Sequence, residues 1–237
     1  MLLWLLLPVI AASAPLEVQV FVPLCDSAII DCGNKKLGDP ASLDTNLYWG
    51  AAYGADRYLA AQPAFARLPS ASPSKPAILK VTRFSRQPKR GERTVNVELL
   101  AYHGAQIDVA LADYFAAVAG PSSADVVLWM GHDRLMDVAA PALSAGASPK
   151  PTLVLACASE SYFGPALKTI GANRLAMTRS LMAPEAYLLV AALETFATKG
   201  TTDKAALRAA LVDAYAKFQK ISAKAAGSVF VAVRDLE

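Results

Sequence analysis

The chain has 237 residues, 54% of them hydrophobic and 18% charged, with a formal net charge of +3. It is richer in apolar residues and poorer in charge than an average soluble domain (roughly 45–50% and about 25%), which excludes intrinsic disorder and a protein built on a solvated charge field. So small a positive balance argues against nucleic acid as a partner, and glycine and proline, at 13 and 15 residues, exclude a collagen-like or linker-dominated chain.

In chain order, Met1 to Ala14 (MLLWLLLPVIAASA) comes first as an apolar run. Leucines and Trp4 make its hydrophobic stretch, and Ala11, Ala12, Ser13 and Ala14 supply small residues for cleavage. Residues 1–14 are therefore expected to be a signal peptide, and residues 15–237 a single exported domain, periplasmic or secreted. No later segment approaches the ~18 uninterrupted apolar residues of a membrane span, so no integral span is expected after the leader. The three cysteines are Cys25, Cys32 and Cys157. An odd count in an exported chain leaves at least one thiol without an intramolecular partner. Cys25 and Cys32 flank a stretch that can turn back and close a local disulfide, which would leave Cys157 free.

Glu17 to Leu24 (EVQVFVPL) fits a first strand. Asp44 or Thr45 can cap a helix running to Gln62 and stopped by Pro63. Gly50 and Gly54 fall on one face of that helix and each costs ~1 kcal/mol relative to Ala, so something must approach closely there. Packing of backbone against the sheet is the expected cause, with Trp49 and Tyr53 in the core. Ala77 to Phe84 and Thr94 to Tyr102 read as an antiparallel hairpin around a basic turn. Arg83, Arg86, Lys89, Arg90 and Arg93 are expected to be solvated there and to discourage edge pairing.

Gln106 to Ala119 has helical periodicity. Ala124 to Met130 (ADVVLWM) and Pro151 to Ala156 (PTLVLA) are almost wholly apolar, as strands covered on both faces are. A helix over Tyr162 to Ile170 leads to a third strand, Ala172 to Thr178. Pro184 and Glu185 open a further helix that ends at Gly200. Thr202 caps a last long helix, and Val229 to Val233 reads as a final edge strand. The alternation predicts an α/β fold: an open, mainly parallel sheet flanked by helices on both faces, with an antiparallel hairpin.

In such sheets functional residues gather beyond the carboxyl ends of the strands. Gly131-His132-Asp133 follows VVLWM, and Cys157-Ala158-Ser159 completes LVLACAS. On neighbouring strands, ~4.8 Å apart, an imidazole and a thiol would emerge over the same edge. They could then act as base and nucleophile, with backbone N–H groups around Gly131 and Cys157 holding an oxyanion. Asp26, closing the first strand, is a candidate to orient the imidazole, and Asp133 and Glu160 are alternatives. Ser159 is placed to cap a helix starting near Ser161, whose N-terminus would favour a thiolate. His103-Gly104, after VELLAY, is the alternative base. In a 2-1-3-4 strand order it sits two spacings, ~10 Å, from the strand before His132, so His132 ranks first. Arg179 reads as a surface charge. With two histidines, no C-x-x-C or H-E-x-x-H and no phosphate-cradling glycine motif, neither a metal nor a cofactor is expected.

This arrangement resembles the caspase-like cysteine peptidases (clan CD), which include caspases, legumains and gingipains. In that superfamily one hydrophobic strand ends in His-Gly and a second in Ala-Cys. LVLACAS matches the second element at Ala156-Cys157, whereas Gly131 precedes His132 and Asp133 stands where the family has Gly. The resemblance covers the core from Glu17 to Thr178. It implies a caspase-like fold and a cysteine hydrolase, peptidase-like, with Cys157 attacking and His132 transferring protons. The segments VFVPLCD, TNLYWGAAYG, GHDRLMD, ACASESYF and LMAPEAY, in this order, also resemble an uncharacterised bacterial protein family. That likeness implies one shared architecture and one site built from the GHD and Ala-Cys blocks. Two functions follow as expectations: hydrolysis of a peptide or protein substrate, or a non-catalytic module using the same crevice for a ligand or protein partner. Oligomeric state leaves no mark in the sequence.

Overall fold

A computed structural model describes residues 14–120 and 122–236, so the expected leader, except for Ala14, lies outside the described residues. Among the described residues seven strands form one sheet: β1 (Leu16–Pro23), β2 (Phe65–Leu68), β3 (Ile78–Arg86), β4 (Val95–Tyr102), β5 (Val126–Met130), β6 (Thr152–Leu155) and β7 (Arg174–Ala176). Their order is β2-β3-β4-β1-β5-β6-β7. From β4 to β7 neighbours run parallel, while β3 is antiparallel to both β2 and β4. The chain is thus an α/β protein with a mainly parallel sheet and a hairpin at β3–β4. Strand β2 lay outside the sequence reading; with four residues, two of them exposed, it has too short a pattern to register.

β5 and β6 are buried at every position because both faces of the sheet are covered. On one side α2 (Ile107–Ala119) and α3 (Ser159–Ile170) pack on Phe21, Val127, Trp129 and Val154. On the other, α1 (Ala55–Ala60), α4 (Ala186–Lys199), α5 (Lys204–Gln219) and α6 (Ala223–Val229) cover Val20, Leu128, Met130 and Leu153. Thr152 shows how a polar side chain is accommodated inside these layers. Tyr114 and Thr152 hydroxyls meet at 2.6 Å, and Thr152 Oγ1 donates to the Val127 carbonyl at 2.8 Å. Among the described residues no helix is long and apolar enough to cross a membrane.

The helix expected from Asp44 to Gln62 is a run of turns that ends in the short α1. Asn46, fully buried, organises it. Its carboxamide accepts from the Cys25 and Tyr48 amides at 3.0 and 3.1 Å and donates to the Cys25 and Asp39 carbonyls, both at 2.8 Å. The two glycines do answer a close approach, but from the segment's own backbone and not the sheet. A Cβ on Gly50 would lie 2.4 Å from the Leu43 and Asp44 carbonyl oxygens, and one on Gly54 2.4 Å from that of Trp49. Trp49 is a core residue as expected; Tyr53 is 41% exposed. Cys25 and Cys32 form a disulfide, Cα atoms 6.2 Å apart, and Cys157 is the free cysteine.

Further expectations need correction. The predicted edge strand at Val229–Val233 is a single bridge, Thr178 to Phe230, following α6, whose N-terminus is capped by Ser222. The long helix before it is capped by Asp203, whose carboxylate accepts from the Ala206 amide at 2.8 Å, and not by Thr202. The basic turn is not wholly solvated. The Arg86 side chain is 2% exposed and its guanidinium bonds Glu194 through Nε at 3.2 Å and Nη2 at 2.8 Å, with Nη1 on Glu92.

Candidate active site

Strands β5 and β6 are adjacent and parallel, with Met130 beside Leu155 in the last matched pair. The residues that follow therefore leave the same edge of the sheet side by side. On the β5 side the chain turns at Gly131, whose φ of +152° suits glycine, and its N–H donates to the Leu155 carbonyl at 3.2 Å. The turn is held further by Trp129 Nε1, which donates to the His132 carbonyl at 3.0 Å.

The His132 ring is largely covered, at 12% side-chain exposure, and its Nε2 lies 2.6 Å from Asp137 Oδ2. A short 3-10 turn, Arg134–Met136, carries Asp137 back to the ring. Arg134 bridges Asp137 at 3.4 Å and Asp108, in the first turn of α2, at 2.7 Å. The His132 hydrogen bond, with Arg134 adding to it, holds the Asp137 carboxyl below the usual range. The residue that orients the imidazole is thus Asp137, which the sequence reading did not single out.

The named alternatives for that task do other things. Asp26 is a turn former: its carboxylate accepts from the Ala28 amide at 2.8 Å and its carbonyl from those of Ile29 and Ile30. Glu160 pairs with Arg179, which also binds Asp235 on the surface. His103 closes β4, two strands from β5, and its Nδ1 accepts from the Ala105 amide at 3.2 Å.

Asp133 is fully buried. One carboxylate oxygen accepts from the Leu135 amide at 3.0 Å; the other is buried without a hydrogen-bond partner among the described residues. Burial pushes this carboxyl up to about 7 against the pull of the Leu135 amide, and the Asp137 charge adds to the rise.

Cys157 leaves β6 just before Ala158, which adopts the left-handed conformation (φ +45°, ψ +33°), disfavoured for a residue with a Cβ. The strained turn is over-determined by its bonds. The Ala158 amide donates to Ser180 O at 2.9 Å and the Ser159 amide to Thr178 Oγ1 at 3.1 Å. The Ser159 hydroxyl, buried, donates to Val154 O at 3.3 Å and accepts from the Thr178 amide at 2.9 Å. Ser159 thus stitches the turn and is itself the first residue of α3, so it does not cap a helix starting near Ser161.

The Cys157 thiol is half-buried and lies against residue 182: the Met182 amide donates to Sγ at 3.4 Å and Sγ donates to the Met182 carbonyl at 3.4 Å. Burial raises the thiol, the Met182 amide opposes that, and the Asp133 carboxylate adds to the rise. Tyr48 and Tyr215 also lie within electrostatic reach of the sulfur.

The edge beyond β5 and β6 thus carries a free thiol on a strained strand-to-helix turn, an imidazole oriented by a carboxylate, and a buried acid whose charge reaches the thiol. Such a set can do nucleophilic and acid–base chemistry. Among the described residues no group of three or more His, Cys, Asp or Glu is arranged to hold a metal ion. A cleft of about 550 Å³ lies elsewhere, floored by Phe21, Val81 and Leu100 and rimmed by Lys75 and Asp113. Comparison of the chain with known protein families, with curated proteins and with solved structures finds no match.

Proposed function

We propose that the chain is an exported cysteine hydrolase of caspase-like architecture, acting on a peptide or related acyl bond. Cys157 is the nucleophile, His132 moves the proton, Asp137 orients the ring, and the Cys157 amide holds the oxyanion, since the Gly131 amide is taken by Leu155. The observation that carries this reading is the His132–Asp137 pair at the end of the strand next to the one that delivers Cys157. The strand order β4-β1-β5-β6, with His after β5 and Cys after β6, supports the caspase-like likeness. The Cys25–Cys32 disulfide supports export, because such bonds persist in oxidising compartments.

A non-catalytic module using the same crevice is the competing reading, favoured by a thiol that burial drives upward. Alkylation decides between them. Iodoacetamide at neutral pH, followed by peptide mapping, is expected to label Cys157 selectively, and His132→Ala to abolish the fast reaction. Labelling indifferent to His132, together with no turnover on a peptide library, overturns the hydrolase.

A further inference from the structure

We infer that the segment from Arg179 to Glu185 is a strap that gates Cys157, closed in this structure and displaced when an extended peptide enters. The inference rests on the reading of Cys157 as nucleophile and adds a regulatory element to it. The segment lies in the link between β7 and α4, and its Met182 lies against the thiol. Its main chain is pinned at three points, and a fourth bond holds Ala186 just beyond it. The Arg179 amide donates to Val229 O at 2.8 Å, Ser180 O accepts from the Ala158 amide at 2.9 Å, the Ala183 amide donates to Tyr215 Oη at 3.3 Å, and the Ala186 amide donates to Tyr53 O at 2.8 Å.

Between the pins, the amide and the carbonyl of one residue, Met182, both bond the sulfur at 3.4 Å. These are the groups that a substrate backbone would bring to the same place. The S–H bond to the Met182 carbonyl holds the thiol while the Met182 amide favours the thiolate, so the strap acts by covering the sulfur and not by setting its charge. Its anchors are uneven: the Met182 side chain is 8% exposed, while Leu181 beside it is 71% exposed and contributes little to holding the segment down. A segment outside helix and strand, held by these hydrogen bonds, by the buried Met182 and Pro184 and by the Gln219 bond to Glu185, opens locally at lower cost than the core.

The test compares alkylation of Cys157 by iodoacetamide with hydrogen exchange at the Met182 amide. Tyr215→Phe removes the pin on Ala183 and keeps the ring against Phe230. Leu181→Gly loosens the strap at an exposed position where the core is not disturbed. Both are expected to speed alkylation roughly two- to tenfold and to accelerate Met182 exchange by the same factor, since one opening governs both. Alkylation at the wild-type rate in both variants, or faster amide exchange without faster alkylation, overturns the strap. Faster alkylation in the variants with no peptide turnover in any form leaves the strap standing and removes the hydrolase reading.

Discussion

Asp137 Oδ2 lies 2.6 Å from His132 Nε2, five positions on in the same GHDRLMD block, because a single 3-10 turn folds one back on the other. An imidazole fixed in this way presents its remaining nitrogen in one tautomer and one direction. Asp137→Ala is therefore expected to slow Cys157 alkylation and peptide turnover about tenfold, with His132→Ala slower still. In steady-state kinetics the loss should fall on kcat with KM little changed; a reversed pattern would show Asp137 binding substrate instead.

Asp133 makes stability depend on pH. Its carboxyl is raised in the fold to about 7, so its favourable contribution is complete below the unfolded value near 4 and is lost as pH rises through 7. The full swing is about 4 kcal/mol at most. Urea unfolding at pH 5 and pH 8 should show wild type weakening with pH and Asp133→Asn much less so. The same variant removes a negative charge acting on the Cys157 thiol, so its alkylation profile should move to lower pH.

Reduction or Cys25→Ser opens the small loop closed by the disulfide, with a loss of about 2 kcal/mol read from denaturant unfolding. Because Cys25 also lies under the Asn46 carboxamide, the segment after β1 should lose amide protection first.

Arg86 offers a control far from the thiol. Arg86→Ala leaves Glu194 and Glu92 without their shared cation and is expected to destabilise by about 2 kcal/mol, allowing for the exposed side of Glu194. Arg86→Lys should recover less than half, since an ammonium cannot reproduce the guanidinium fork. Alkylation of Cys157 should be unaffected in both.

What was legible in the sequence is what depends on local pattern. The apolar runs of β5 and β6 announced a doubly covered parallel sheet, and the residues after them do leave the same edge of it. The turns around Asn46 were hidden because apolar periodicity there mimics a helix, while Gly50 and Gly54 admit carbonyl oxygens that a helix would not bring near. Ser222, capping α6, was a signal against the final strand that β-branched residues outweighed. Asp137 stood within the quoted motif, but its role appears only once Arg134–Met136 coils. The Met182 contact with Cys157 joins positions that no local rule connects.

The sheet is bordered by two short strands, β2 with four residues and β7 with three. An incoming strand from a second molecule would find only a handful of main-chain groups to bond at either border, too few to template growth. Growth of the ladder by a strand from a second molecule is therefore disfavoured at both borders.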